Sequence, residues 1–303
     1  MTDSALERYT RLRAEPLILV GGASGRGTWT SLRAVFAHRQ LLGLLIRRDI
    51  KARYKDSALG LLWTLINPIV QLLVYYLVIG QVLGAARGIE NFAIYVFAGL
   101  TIFGLFSETL TGTTGSIVAN AGLVKKVYVP REVFPLASIG SGLFTFSVQV
   151  VVLLAACFIL LTPPALGGLI FFIPSVLLIV VYAMALGILL SGLNVYLRDV
   201  QYLTQILITL ALWASPIVYS WAMVQSVFAQ FGLPSWLLEV YTNNPLTLAV
   251  LGFHRTFWAA GTAADYPPQL GLRMLIAFCV GLVLVWLCQR AFARLQGNFA
   301  QEL

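Results

Sequence analysis

The sequence predicts an all-α integral membrane protein with six transmembrane helices, and three observations predict it. The 303-residue chain is 59% hydrophobic and 11% charged, with a mean hydropathy of +0.86, a balance that ordinary soluble domains do not reach. Uncharged stretches long enough to cross a bilayer recur along it. Basic residues crowd to one side of these stretches: of 20 Lys and Arg, only Arg87, Arg255 and Arg273 fall outside in the six-span arrangement.

Residues 1–31 are mixed and glycine-rich. Residues 17–20 followed by Gly22 to Thr28 imitate a strand running into a phosphate-binding loop. That motif needs a Lys between its last Gly and the Ser/Thr, and here Thr28 follows Gly27 directly. The segment reads as a flexible cytoplasmic tail, and its apolar run at 16–20 is too brief for the core of a secretory signal.

Residues 32–57 predict an amphipathic helix in the interface plane, because Leu32, Val35, Phe36, Leu41, Leu42, Leu45 and Ile46 recur at roughly helical spacing among basic residues. It ends in a dense cluster of Arg47, Arg48, Lys51, Arg53, Tyr54 and Lys55, after which no charge occurs from 58 to 84. A charge at the bilayer centre costs about 2.5–3.5 kcal/mol, so the membrane boundary falls near Ser57. Residues 59–83 would rise about 37 Å as a helix and form the first span. The cluster holds the amino terminus in the cytoplasm and offers cations to an anionic headgroup.

After an outer loop at 84–91, the second span runs from Phe92 to about Gly115. It turns polar beyond Leu105, with Ser107, Glu108, Thr109, Thr111, Thr113 and Thr114. Glu108 is the only acid well inside a predicted span, which makes it a functional candidate; a place near a helix end, or a pair with a neighbouring helix, explains it equally well. Residues 116–135 carry Lys125, Lys126, Arg131 and Glu132 beside Val118, Leu123, Val124, Val127 and Tyr128. Such a segment either docks on a soluble partner or lies flat on lipid.

The third span covers 136–161 and the fourth 169–193, with an outer turn between. The fifth covers 202–221 and is kinked at Ser215-Pro216. Residues 222–270 are broken by Pro234, Pro245, Pro267 and Pro268, and the piece 245–260, with His254 and Arg255, is too short to span. A single crossing there would put Arg290 and Arg294 outside, so short re-entrant or interfacial helices on the outer face are expected. The last span is 272–287 and the cytoplasmic tail 289–303.

Nothing in the sequence assembles a catalytic or metal constellation. His38 and His254 fall on opposite sides of the membrane, and no acids sit at ligand spacing. Cys157, Cys279 and Cys288 lie in apolar runs and read as inert buried thiols. An ion-coupled carrier would show several intramembrane ionisable groups and an internal repeat. A pore-forming subunit driven from elsewhere remains.

Four ordered blocks now carry a resemblance. Arg48, Asp49, Lys51, Arg53, Tyr54, Lys55, Ser57, Leu59, Gly60 and Trp63, followed by Asn67-Pro68, form the first. The run from Leu123 to Pro135, with Lys125, Lys126, Pro130, Arg131 and Glu132, is the second. Arg198-Asp199 ahead of Ser215-Pro216 and Tyr219, then Asn244-Pro245 ahead of Arg255, complete them, and the tail Asn298, Phe299, Ala300, Glu302 and Leu303 agrees. Over roughly residues 32–303 the chain resembles the membrane subunit of bacterial polysaccharide ABC exporters, the family moving lipid-linked O-antigen, teichoic acid and related cell-wall glycans.

The resemblance implies a homodimer forming a channel in the cytoplasmic membrane, with two copies of a separate ABC ATPase docked beneath. That partner would bind the ATP and Mg, so no cofactor and no catalytic residue is expected in this chain, and no nucleic acid. Residues 116–131 become a coupling helix, with Asn120, Leu123, Val124, Lys125, Lys126, Tyr128, Pro130 and Arg131 as its contacts. Residues 222–260 become an outer gate that includes Pro245, His254 and Arg255.

The implied substrate is an undecaprenyl-diphosphate-linked polysaccharide, whose phosphates suit the Arg47–Lys55 cluster because Arg recognises phosphate bidentately. Trp63, Tyr75, Tyr76, Trp213 and Tyr219, with Glu108, are channel-lining candidates, and packing or interfacial anchoring is the competing reading of each aromatic. A permease for a small lipid or drug would have the same span count. An integral membrane glycosyltransferase is disfavoured by the scarcity of interior acids.

Overall fold

Among the described residues every regular element is helical. The computed structural model describes Arg33 and residues 35–54, 62–82, 84–126 and 129–303. The tail 1–31, the boundary near Ser57, Lys55 and Tyr128 lie outside the described residues, as does the side chain of Tyr54.

Helix α1 is Arg39–Tyr54. Helix α2, Trp63–Val74, has Pro68 inside it and continues as a π-helix, Tyr75–Val82. Then come α3, Phe92–Ala119; the short α4, Ala121–Lys126; α5, Val133–Ile159; and α6, Phe172–Tyr196, entered through a 3-10 turn at Leu166–Phe171. Helix α7 is Val200–Trp213. Three shorter helices follow: α8, Trp221–Gln230, α9, Ser235–Thr242, and α10, Pro245–Phe257. The long α11, Leu270–Leu295, leads to the terminal α12, Phe299–Glu302.

Five of these runs are long and apolar enough to cross a membrane: Leu65–Val82, Phe92–Ala119, Val133–Ile159, Leu166–Tyr196 and Ala263–Asn298. The expected fifth span is shorter. Helix α7 has 14 residues, a rise of about 21 Å against a hydrocarbon core of about 30 Å. Its end follows from Ser215-Pro216: Pro216 has no N–H to continue the ladder, and the Ser215 hydroxyl donates back to the Ala211 carbonyl at 2.7 Å.

Two boundaries move for physical reasons. The second span continues about one turn past the expected Gly115, to Ala119. The hydroxyls of Thr113, Thr114 and Ser116 donate to carbonyls three or four residues back, so their polarity is absorbed within the helix. The last helix extends to Leu295 because Phe292 and Phe299 are buried at its end, and Tyr196 donates to the Leu295 carbonyl at 2.6 Å. Residues 289–303 are therefore packed helix and turn.

Helix α3 is the axis: α5, α6, α7 and α10 all pack on it, and it is the most buried of the spans. Backbones approach closely at small residues. A Cβ on Gly142 of α5 would lie 2.8 Å from Thr109 Oγ1, and one on Gly187 of α6 would lie 2.1 Å from Thr113 Oγ1, the small-residue packing through which membrane helices associate. Asn194 of α6 also donates to the Thr114 carbonyl at 3.2 Å.

Helix α10 starts where Asn244 caps it, accepting from Leu246 N at 3.1 Å, with Pro245 in the first turn. Nearly every side chain on it is buried. A helix too short to cross is thus enclosed by protein.

Gly187→Val is expected to destabilise the fold by about 1–3 kcal/mol through overpacking, whereas Gly167→Ala, with nothing within 4 Å of the added carbon, is expected to melt like the parent. Thermal unfolding followed by size-exclusion chromatography in detergent reads the difference.

Candidate functional site

The expected headgroup and coupling segments meet at one end of the bundle. A second apolar cluster there joins Leu45 of α1, Ile117 of α3, Val124 of α4, Val133 and Phe134 of α5, Val195 of α6, Phe292 of α11 and Phe299 of α12. It fixes the orientation of α4: Val124 is buried, while Leu123, Lys125 and Lys126 face outward. The expected coupling segment therefore presents one apolar and two basic side chains on a short helix anchored beneath. Pro130 is half-buried, and the Arg131 guanidinium lies 5.3 Å from the Phe299 ring centre, so Arg131 turns toward the fold.

Helix α1 is pinned to the same end. Leu45 is buried, and Ile46 packs so closely that a Cβ on Gly140 would lie 2.5 Å from it. Arg48 pairs with Asp49 and donates to Asn120 Oδ1 at 2.7 Å, which ties α1 to the residue that begins the coupling segment. Asn120 in turn donates to the Ser116 carbonyl at 2.7 Å. Arg47 and Lys51 are exposed and make no hydrogen bond or ion pair among the described residues.

Glu108 has a partner. Arg53 of α1 forms an ion pair with it, and Thr145 of α5 sits 3.1 Å from both Arg53 Nη1 and Glu108 Oε1. The side chains of Arg53 and Glu108 are 40% and 24% exposed, so the pair stands at the edge of the bundle. An acid in a span is tolerable when a cation neutralises it and a hydroxyl completes its hydrogen bonding. Glu108 and Arg53 thereby fasten α1 to α3 and α5, and neither is simply a free lining or headgroup-binding side chain.

The aromatics divide. Trp63, Tyr76 and Trp213 are exposed, and Tyr75 is half-buried against the core. Tyr219 instead holds the break after α7: its hydroxyl donates to the Trp213 carbonyl at 2.7 Å. Tyr95, unremarked in the sequence, donates to the carbonyls of Pro216 and Tyr219 and stacks on His254 at 3.8 Å. His254 is fully buried and Arg255 exposed, its guanidinium over Phe171 and Tyr266.

At this far end Arg273 of α11 pairs with Glu239 of α9 and donates to Asn243 Oδ1 at 3.0 Å and the Pro268 carbonyl at 3.0 Å. Hydrogen bonding from Arg273 holds the Glu239 carboxyl below its ordinary range. Thr145 and this Arg273 clamp were missed, since their partners are distant in sequence and meet only in the fold.

A double-mutant cycle on Arg53→Gln and Glu108→Gln is expected to give a coupling energy of about 0.5–3 kcal/mol in thermal stability, since each single change strands the other charge. Additive single effects would show that the pair contributes nothing.

Known proteins place the chain. It is 28% identical over 264 residues to an O-antigen export system permease protein RfbA of Klebsiella pneumoniae, covering 87% of this chain and 95% of that one. A protein of the same name from Myxococcus xanthus is 29% identical over 273 residues, 90% of this chain and 98% of that one. A polysialic acid transport protein, KpsM of Escherichia coli, matches over 79 residues at 32% identity, 26% of this chain and 31% of that one. Residues 40–258 match the family model described as ABC-2 type transporter, and the chain therefore belongs to that family of membrane transport proteins.

Proposed function

We propose that this chain is the channel-forming subunit of an ATP-driven exporter that moves undecaprenyl-diphosphate-linked polysaccharide out across the cytoplasmic membrane. The observation that carries the reading is the match along almost the whole chain to proteins named for O-antigen export. The shorter match to a polysialic acid transport protein agrees with it.

In this reading two copies enclose the channel and a separate ATPase, holding ATP and Mg, docks beneath each. Leu123, Lys125 and Lys126 face outward from α4, which suits a groove on a soluble partner. Helix α7 completes the six crossings together with the turns after it, and α8 to α10 form the outer re-entrant gate. Both termini then lie in the cytoplasm, in keeping with the excess of Lys and Arg on that side.

Helix α1 lies at the inner interface and takes the carrier's diphosphate. Arg47 and Lys51 supply the free cations, while Arg48 and Arg53 hold the helix to the coupling segment and to the second span. A push on α4 reaches α1 through Arg48 and Asn120, so docking and headgroup recognition share one connected piece. The exposed Trp63, Tyr76 and Trp213 offer flat apolar faces for sugar C–H groups to slide over.

Replacing Lys125 and Lys126 with Glu is expected to abolish co-purification of the ATPase while the chain still inserts; wild-type yield of the complex would overturn the docking assignment. Neutralising Arg47 and Lys51 to Gln removes about 1 kcal/mol of attraction each at an anionic surface. The concentration of lipid diphosphate that half-stimulates ATP hydrolysis is then expected to rise about 30-fold, and an unchanged midpoint would remove the headgroup role.

A further inference from the structure

At the end of the bundle away from α4, two cavities share a wall. An open groove of about 450 Å³ runs between the start of α6 and the start of α11, lined by Ile170, Phe171, Leu177, Met274, Leu275 and Phe278. It descends from Phe171 to Leu177 on one side and from Gly271 to Phe278 on the other, roughly 10 Å along the helices. Beside it is a polar pocket of about 280 Å³, lined by Gly168, Arg255, Trp258, Gly261, Thr262 and Tyr266 among others. Arg255 joins the two: its guanidinium lies 5.1 Å from the centre of the Phe171 ring and 5.2 Å from that of Tyr266.

Two groups in the pocket lack the partners their chemistry calls for. Arg255 makes cation–π contacts and no ion pair or hydrogen bond among the described residues, so all five of its donors are uncommitted. Tyr266 is 93% buried, its relative exposure being 7%, and its hydroxyl has no hydrogen-bond partner among the described residues. The hydroxyl sits against Gly261, where a Cβ would lie 2.5 Å away. The nearest acid, Asp265, is turned aside, accepting from Thr262 N and Oγ1 at 2.8 Å each. A buried unpaired hydroxyl next to an uncompensated guanidinium calls for an anionic acceptor.

The pocket lies where two spanning runs begin, Leu166–Tyr196 and Ala263–Asn298, and the groove leads from it into the apolar depth of those runs. We propose that groove and pocket together bind one anionic glycerophospholipid, its phosphate between Arg255 and Tyr266 and an acyl chain along Met274 and Leu275. Charge complementarity selects the headgroup, and the apolar groove selects a hydrocarbon tail over a free anion. The lipid stands behind α10, whose last turn carries Arg255, so it braces the enclosed helix from the membrane side. The site is independent of what the transporter carries.

Native mass spectrometry of the full chain, titrated with dioleoyl phosphatidylglycerol, dioleoylglycerol or inorganic phosphate, tests this. Phosphatidylglycerol is expected to be retained at least about fivefold more tightly than dioleoylglycerol. Arg255→Gln should erase that preference, Arg255→Lys should fall between, and Leu275→Trp should weaken both lipids by filling the groove. Equal retention of phosphatidylglycerol by Arg255→Gln would overturn the proposal, as would binding of inorganic phosphate as tight as that of the lipid. A shift in oligomeric state on Leu275→Trp with lipid retention unchanged would assign the groove to a second copy and overturn it too.

Discussion

A helix buried on nearly every side must be met by its neighbours at backbone distance, and α3 sets that constraint for the whole bundle. Its apolar upper half packs against α10 and its Thr-rich lower half against α5 and α6, where Gly142 and Gly187 leave room for Thr109 and Thr113. In a bilayer no hydrophobic difference separates helix from lipid, so close packing and satisfied hydroxyls decide which helices associate. The Thr113 and Thr114 hydroxyls bond within α3 itself, which leaves its surface free to be approached.

From that axis the two ends acquire different characters. At the α4 end, charge is organised into fasteners: Arg53 with Glu108 and Thr145, and Arg48 with Asp49 and Asn120. These join an otherwise peripheral helix to the core, and the pieces offered to a partner project from a shared apolar base. At the other end aromatic side chains and one Arg–Glu clamp hold a set of short helices around the enclosed α10.

Most of the span pattern was legible because a bilayer asks one simple thing of a sequence, a long uncharged run, and four of the expected spans coincide closely with helices. The fifth span was harder. Residues 202–221 carry no charge and a kink at Ser215-Pro216 was expected, yet the helix stops at Trp213, since Pro216 and the Ser215 hydroxyl end the ladder rather than bend it. The second span runs one turn beyond the expected Gly115, to Ala119, and the Thr and Ser hydroxyls near its end are spent inside the helix. The basic cluster was visible as a cluster, but not its division into fasteners and free cations. That division depends on Glu108, Thr145 and Asn120, which are distant in sequence and meet only in the fold. The buried His254 beside Tyr95 was invisible for the same reason.

The export reading rests on coupling between a lipid-linked glycan at the membrane and ATP hydrolysis in a partner. The direct measurement is ATP hydrolysis by this chain co-purified with its ATPase in lipid nanodiscs, with and without undecaprenyl-diphosphate-linked glycan. The account predicts stimulation that depends on the glycan-linked lipid. A complex that forms and hydrolyses ATP at one rate regardless of that lipid would contradict it.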